Sequence, residues 1–414
     1  MAVFVIMKIG VIGAGAAGLA SIKRCLEQGH QCLAFEQTDK IGGTWNYTDN
    51  TDIDDNGLPV HSSMYQGLRT NLPKEVMEYP DFPYEEMDRS YIEHNNVLDY
   101  MHKFAAKYNL IPHIKFLRQI IEIIPLPNDK WSLKERNLKT NGITEHNLDA
   151  VMICVGNYSV PNLPNIPGSE TLGTRVIHSH YYRKSDPYKG KKVLVIGAGP
   201  SGVDIASILT AVAKEVYISH GEHKFGKTGH EVVDKPLVES FKGNVAVFKD
   251  GSEIEFDNVI FCTGYQYSYP FLNAECGIIV EDNWIKYLYK HIVNIEHPTM
   301  AFIGVIFKIC PLPMFDIQIR FFLEFIKDPH RFSKKEMLTD ILESFNKKGV
   351  PNRLCHMIGN HCQRSYAEDL ARTVQIKPLR PVIHNLFEYL FNNKNVKKKY
   401  KIINDEEFNE SNVV

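Results

Sequence analysis

Two glycine clusters with the same spacing are the clearest sign of a chemical function in this chain. The first is Gly13-Ala-Gly15-Ala-Ala-Gly18, and the second is Gly197-Ala-Gly199-Pro-Ser-Gly202. Each cluster follows a short apolar run and precedes an amphipathic pattern, which is the strand, turn and helix order of a dinucleotide-binding unit. Glycines at this spacing allow a tight turn, close approach of the backbone to a pyrophosphate, and close packing of helix on strand. The pyrophosphate would lie at the N-terminus of the helix.

The two clusters differ at the residue expected to meet the ribose. Glu36 ends the strand pattern after the first cluster, and its carboxylate can accept hydrogen bonds from a ribose diol. The first unit therefore suits FAD. His220 occupies the corresponding position in the second unit, where Ser219, His220 and nearby Lys224 offer donors and positive charge to a 2′-phosphate. This predicts that the second unit accepts NADPH at least as well as NADH; the alternative is ordinary loop residues and use of NADH.

These residues are positioned by alternating strand and helix patterns. Strands are predicted at residues 8–12, 31–35, 191–196 and 215–219, with helices at 19–26 and 203–209. Apolar runs at 150–156 and 258–264 each end in glycine, where the chain would cross between domains. We therefore predict an α/β fold with two Rossmann-like dinucleotide-binding domains. The NADPH domain, residues 169–289, is inserted into an FAD domain formed by residues 1–168 and 290–414.

Composition excludes several classes of protein. The 414 residues carry 47 basic and 49 acidic side chains, which argues against nucleic-acid binding. None of the eight cysteines forms a CxxC pair, which argues against a dithiol reductase and leaves oxygen as the expected electron acceptor. No cluster has metal-ligand spacing, so no metal is expected. Without a visible signal peptide or an apolar span, we expect a soluble protein with no membrane anchor, cytoplasmic by default and secreted if a leader is missing from this chain.

Two dinucleotide sites imply electron transfer between two carriers, and five further segments resemble one family of flavin enzymes. They cover residues 35–45, 65–83, 156–164, 261–265 and 288–304. In these segments the chain resembles the flavin-containing monooxygenases, especially their short soluble insect and microbial forms, and among those the pyrrolizidine alkaloid N-oxygenases. The resemblance runs in order from about residue 8 to about residue 325.

The resemblance implies FAD, NADPH and O2 chemistry in which one oxygen atom enters a nucleophilic nitrogen or sulfur through a flavin C4a-hydroperoxide. Asn71 is the expected catalytic residue, since its neutral amide can donate to the peroxide and contact the nicotinamide nucleotide. The alternative is that Asn71 caps the following turn at residues 72–74. With the glycines and the ribose-binding positions, the expected FAD contacts are Gly13, Gly15, Gly18, Glu36, Thr44, Trp45, Asn71, Leu72 and Gln318. The expected NADPH contacts are Thr70, Gly197, Gly199, Ser201, Gly202, Val203, Asp204, Ser219 and His220. For Gln318 the alternative is an exposed helix position.

The family fingerprint FxGxxxHxxxY is only partly present. Aligned on His178, the chain has Leu172, Thr174 and Tyr182 at the other positions, with Gly173 one place out of register. Tyr182 stands where the related Baeyer–Villiger enzymes have Trp, which favours oxygenation of a heteroatom.

The expected partners are a small amine, alkaloid or thioether substrate and O2, and the expected role is alkaloid detoxification. A homo-oligomer is compatible with the sequence. Two alternatives stay open: a Baeyer–Villiger ketone monooxygenase, and a flavin-binding redox or interaction protein without turnover. The two intact glycine clusters argue against the second alternative.

Overall fold

A computed structural model describes residues 5–221 and 232–413, and Lys224 lies outside these ranges. The chain forms two compact units. The first comprises the described parts of Met1–Trp45, Arg69–Asn157 and Tyr267–Val414. The second comprises Asn46–Leu68 and the described parts of Tyr158–Gln266.

The described ranges contain seven α-helices, and none of these helices is long and apolar enough to cross a membrane. They are α1 Ala16–Glu27, α2 His94–Lys107, α3 Pro200–Leu209, α4 Pro311–Phe325, α5 Lys334–Lys348, α6 Gln363–Val374 and α7 Pro381–Asn393.

The strands are short, and 24 of them lie in the described ranges. The first twelve are β1 Lys8–Ile12, β2 Gln31–Phe35, β3 Ile114–Lys115, β4 Arg118–Leu126, β5 Lys130–Asn137, β6 Ile143–Leu148, β7 Ala150–Ile153, β8 Val160–Pro161, β9 Val176–His178, β10 Lys192–Ile196, β11 Glu215–Ser219 and β12 Val232–Lys235. The others are β13 Val238–Lys242, β14 Val245–Phe248, β15 Glu253–Glu255, β16 Asn258–Phe261, β17 Tyr265–Gln266, β18 Val280–Glu281, β19 Trp284–Ile285, β20 Leu288–Tyr289, β21 Val293–Asn294, β22 Met300–Phe302, β23 Lys398–Ile402 and β24 Phe408–Asn412.

A seven-stranded sheet in the order β20-β21-β22-β7-β1-β2-β3 forms the centre of the first unit. Its five strands from β22 to β3 are parallel, as the repeated strand and helix pattern predicts. Apolar residues of β1, β7 and α1 pack with α2 and α4 in the main core. The antiparallel strands β4, β5 and β6 form a separate sheet of this unit.

The second unit repeats this arrangement in a parallel sheet of order β12-β11-β10-β16-β9. The order β3-β2-β1-β7-β22 of the first unit corresponds to it strand by strand. The prediction of two Rossmann-like domains, one inserted in the other, is therefore confirmed.

The two glycine turns have matching geometry. Gly13 and Gly197 have φ of +102° and +107°, a region in which glycine is unstrained. Gly18 and Gly202 lie so close to the preceding turn that a Cβ on either would be 1.9 Å from the carbonyl oxygen of Gly13 or Gly197. Only glycine lets each helix approach its strand this closely.

The compact units differ from the expected domain borders at residues 168 and 290. Residues 158–168 belong to the second unit because β8 pairs with β17, and Asn162 and Thr263 exchange two hydrogen bonds at this crossover. Residues 46–68 also join this unit. There the Arg183 guanidinium donates to the carbonyl oxygens of Asn50 and Ser62 at 3.2 and 2.9 Å.

Replacing Gly202 by Ala should lower the free energy of unfolding by about 1–3 kcal/mol, because the added Cβ meets a backbone carbonyl that cannot move aside. Gly199→Ala is the matched control, since a Cβ there meets no described atom within 4 Å. Urea unfolding of both variants, followed by circular dichroism, checks this. Equal losses in the two variants would contradict it.

Candidate functional site

The first glycine turn leaves the N-terminus of α1 available to an anion. Gly15 is the N-cap residue, no side chain caps the helix, and no acidic residue lies in its first turn. A second loop lies alongside, because Gly42 N–H donates to Ala14 O at 3.0 Å and a Cβ on Gly43 would be 3.2 Å from Gly15 Cα. The half-buried Thr44 and Trp45 follow directly in this loop. These groups fit a pyrophosphate held by backbone N–H groups.

Glu36 is buried directly beside this turn. Its Oε2 accepts from Ala14 N–H at 2.9 Å, and its Oε1 accepts from the N–H and hydroxyl of Thr38 at 2.8 and 2.9 Å. Burial raises the pKa of Glu36, and these donors act in the opposite direction. A ribose hydroxyl would therefore share a carboxylate oxygen of Glu36 with these backbone and side-chain donors. The residues of the first unit therefore fit FAD.

Asn71 is exposed on a segment that is held at both ends. Thr70 N–H donates to Ile92 O at 2.8 Å, and Ile92 N–H donates to Thr70 Oγ1 at 3.1 Å. On the other side, Lys74 N–H donates to Ser90 O at 2.8 Å. The amide of Asn71 makes no hydrogen bond to a residue that the structure describes. Its backbone is therefore positioned while its amide faces outward.

The capping alternative for Asn71 does not match the structure. The short turn Lys74–Val76 has Pro73 as its N-cap residue, and no side chain caps it. Leu72 is half-buried and packs against the apolar cluster of α7. Thr70 is buried with its hydroxyl already bonded, so its contact with a nicotinamide nucleotide stays a prediction.

Two acids follow Asn71 in the chain, the buried Glu75 and the half-buried Glu78. Glu75 Oε1 accepts from Ser90 Oγ at 3.0 Å and from Lys74 Nζ at 3.1 Å. Tyr400 N–H donates to the same Ser90 hydroxyl at 2.8 Å, which ties the β23–β24 hairpin to the segment. Burial raises the pKa of Glu78 to about 7, although the N–H of Tyr84 donates to its carboxylate.

Gln318 is fully buried on α4, so the alternative of an exposed helix position is wrong. Its Oε1 accepts from Gly304 N–H at 3.0 Å, and its Nε2 donates to Tyr366 Oη at 2.9 Å. Asn157 Nδ2 donates to Gly304 O at 2.6 Å, so both polar groups of this glycine are held. Gln318 therefore positions the turn between β22 and α4. Contact with the isoalloxazine stays a prediction.

The second glycine turn matches the first as an anion site. Gly199 is the N-cap residue of α3, no side chain caps this helix, and no acidic residue lies in its first turn. A Cβ on Gly199 would meet no described atom within 4 Å, which leaves its backbone open to a phosphate. Ser201 and Val203 are half-buried beside it. Asp204 accepts from Tyr65 Oη at 2.6 Å, which fixes this carboxylate on the helix.

The ribose end of the second unit differs from the expectation at one residue. Ser219 is fully buried, and its hydroxyl donates to Pro236 O at 2.8 Å and accepts from Val238 N–H at 3.1 Å. The structure does not bring this hydroxyl to the surface. His220 lies 3.2 Å from Asp234 Oδ1 through its Nε2, and Nδ1 lies 2.8 Å from Gly221 O. The second unit therefore offers open backbone donors and an imidazole, which fit a nicotinamide dinucleotide.

The departures from the fingerprint are compatible with its local geometry. Leu172 is buried in an apolar cluster of the second unit, as an aromatic residue would be. Gly173 has φ of +56°, so it supplies a left-handed turn one residue before the expected glycine. His178 Nδ1 accepts from His180 N–H, and burial lowers the pKa of His178 to about 4. Tyr182 is buried and packs edge-on against Tyr65.

Three residues at these sites were not identified from the sequence. They are Asn157, which holds Gly304, Tyr65, which holds Asp204, and Asp234, which faces His220. Asn157 and Tyr65 lie within the family-like segments, so their position was a usable signal. Asp234 follows a segment outside the described ranges and carries no local signal.

The raised pKa of Glu78 predicts a pH dependence of stability. The folded state binds the proton of the Glu78 carboxyl group more tightly than the unfolded chain does. The resulting stabilisation of the folded state is complete below about pH 4.3 and is lost as pH rises through about 7. Glu78→Gln should therefore be more stable than the parent at pH 8, by up to about 3 kcal/mol. Chemical unfolding at pH 5 and pH 8 measures this. The exposed Glu343→Gln is the control, and a similar gain in it would contradict the assignment.

Comparison with known proteins identifies the family of this chain. The family model described as flavin-binding monooxygenase-like matches residues 6–226 and 227–393. The flavin-containing monooxygenase FMO GS-OX5 of Arabidopsis thaliana is 34% identical over 90% of this chain and 86% of its own length. Senecionine N-oxygenase of Tyria jacobaeae is 35% identical over 72% and 67%. The structure of S-allyl-L-cysteine S-oxygenase from Allium sativum superposes with a TM-score of 0.86 and 31% identity, covering 94% of this chain and 93% of that one. The chain therefore belongs to the flavin-binding monooxygenase-like family of enzymes, whose cofactors are FAD and NADPH.

Proposed function

We propose that this enzyme N-oxygenates small nucleophilic amines with NADPH and O2, and that its substrates are plant pyrrolizidine alkaloids that it detoxifies. The 35% identity to senecionine N-oxygenase supports the alkaloid assignment. Thioether sulfur is a second acceptor, which the similarity to S-allyl-L-cysteine S-oxygenase supports. The observation that carries the proposal is the exposed Asn71 amide, on a segment whose backbone is held in the same unit as the α1 turn and Glu36.

The side chain of Asn71 is suited to hold reactive oxygen without consuming it. FAD, when bound, supplies electron transfer and the activation of O2. An amide N–H can donate a hydrogen bond to an oxygen atom, but it does not give up its proton at ordinary pH. A carboxylic acid at this position could protonate that oxygen and release it as peroxide. A neutral donor on a fixed segment therefore favours transfer of oxygen to the substrate.

His220 supports a preference for NADPH over NADH. It follows the last residue of β11 as Glu36 follows the last residue of β2. Glu36 would repel a 2′-phosphate, whereas an imidazole would not, and His220 would donate to the phosphate in place of its contact with Gly221 O. Asp234 lies on β12 and contacts the ring nitrogen, so it orients the imidazole. Lys224 lies outside the described ranges and adds no structural support.

A substrate screen tests the function. NADPH consumption is followed with pyrrolizidine alkaloids, other tertiary amines, thioethers and ketones, and the products are identified by mass spectrometry. We expect N-oxides as the main products, S-oxides from thioethers, and turnover with NADPH about tenfold faster than with NADH, since one charge-assisted hydrogen bond distinguishes them. Esters from ketones as the main products would indicate Baeyer–Villiger chemistry, and no consumption with any compound would refute an oxygenase.

Removing the Asn71 amide should separate cofactor binding from product formation. We expect Asn71→Asp and Asn71→Leu to keep bound FAD, seen in the visible spectrum, and to lose product formation by about 100-fold or more. In Asn71→Asp, NADPH oxidation should continue with release of hydrogen peroxide. Asn147→Asp, on an exposed strand of the same unit, controls for added surface charge. Normal product formation in both Asn71 variants would remove this residue from the site.

A further inference from the structure

A hydrogen-bonded chain that the flavin chemistry does not use runs through the first unit and ends at Lys348. Ile285 N–H donates to His356 Nε2 at 3.2 Å, and His356 Nδ1 lies 3.0 Å from His291 Nδ1. His291 Nε2 lies 3.3 Å from Lys348 Nζ, which also donates to Cys355 O at 2.8 Å. Three contacts thus link a backbone amide to a lysine through two imidazoles.

These three contacts cannot all form if Lys348 is protonated and both imidazoles are neutral, because two N–H groups would then face each other at one contact. A backbone N–H is always a donor, and a neutral imidazole has one N–H and one acceptor nitrogen. Because Ile285 donates to His356 Nε2, the proton of His356 must be on Nδ1. His291 Nδ1 must then accept, which places the proton of His291 on Nε2, facing Lys348. An ammonium at Lys348 would direct a second proton at the same contact.

The three hydrogen bonds can form together only if Lys348 Nζ accepts from His291 Nε2–H. This requires a neutral amine at Lys348. A neutral imidazole loses its remaining N–H far less readily than an ammonium loses one of its three protons. Burial lowers the pKa of Lys348, although Cys355 and Cys362 oppose this effect. Burial also lowers the pKa of His356 to about 3 and that of His291 well below its ordinary value, so neither ring brings an extra proton.

Among the described residues, no carboxylate contacts Lys348. The groups that face Lys348 are His291 from the loop before β21, Cys355 and His356 from the segment after α5, and Cys362 before α6; Lys290 faces His291. Two acids of the neighbouring helices, Asp340 on α5 and Asp369 on α6, both pair with Lys290. Lys348 ends α5, where the helix dipole favours a cation, but the dipole supplies no acceptor for the extra proton.

We infer that Lys348 carries a neutral, nucleophilic amine at neutral pH and is a site of imine formation with small aldehydes. The electron pair on Nζ attacks the carbonyl carbon and a C–N bond forms. The carbonyl oxygen then leaves as water with the two amine protons, and no oxidant or reductant is needed. Lys348 is only half-buried, so a small carbonyl compound can reach it. Its neighbour Lys347 is exposed and is not part of this series of hydrogen bonds. Lys347 therefore serves as an internal reference for the reactivity of Lys348.

Reductive methylation tests this inference without using enzyme activity. The full-length holoenzyme is treated with limiting formaldehyde and cyanoborohydride from pH 6 to pH 11, and methylation of Lys348 and Lys347 is measured by peptide mass spectrometry. Steric hindrance changes the maximal rate but not the pH midpoint of reaction. We expect the pH midpoint of Lys348 to lie below the midpoint measured for Lys347 in the same samples, because burial disfavours the charged form of Lys348.

His291→Asn tests the proton count itself. His291 has φ of +60°, a conformation that Asn tolerates, and an amide oxygen can accept from an ammonium. The variant should return the Lys348 midpoint towards that of Lys347, with circular dichroism showing that the fold is retained. If this variant does not fold, the parent midpoints still decide the question. Equal midpoints in the parent, or no reaction of Lys348 at any pH, would overturn the inference.

Discussion

Both nucleotide sites depend on one steric constraint, the contact between a helix glycine and the backbone of the turn before it. Gly18 and Gly202 lie where any side chain would overlap the carbonyl oxygen of Gly13 or Gly197. This contact sets the distance between each first strand and its helix, and so it fixes the position of the helix N-terminus. The backbone donors there point at one place, and the anion site exists without any basic side chain. This agrees with the near-neutral charge of the chain.

Hydrogen bonds between buried and half-buried groups hold the segments of the first unit that carry its candidate site residues. Asn71 is the exposed residue of its segment, and its neighbours are bonded to Ile92 and Ser90. The turn at Gly304 is held from two sides by Asn157 and Gln318. Such contacts hold the backbone on both sides of the exposed Asn71 amide.

The strands and turns at the two sites could be predicted because glycine spacing and apolar runs are local signals. The bounds of β1, β2 and β11 were predicted to the residue, and the two helices were found within a few residues. The position of residues 46–68 depends on the guanidinium of Arg183, more than 100 residues away in the chain. The buried hydroxyl of Ser219 is bonded by Val238 N–H, and the buried amide of Gln318 is bonded to Tyr366. These partners are distant in sequence, and no periodicity marks them.

The bond between Tyr400 and Ser90 has a consequence for the synthesis of this protein. The two residues are 310 positions apart, and the Ser90 hydroxyl also binds Glu75, which follows Asn71 in the chain. A ribosome delivers the chain from its N-terminus, so residues 70–90 emerge long before the hairpin that secures them. The segment acquires its full set of bonds only after residue 400 has been made. A chain that stops early would carry the glycine turn of α1 but lack this support for Asn71.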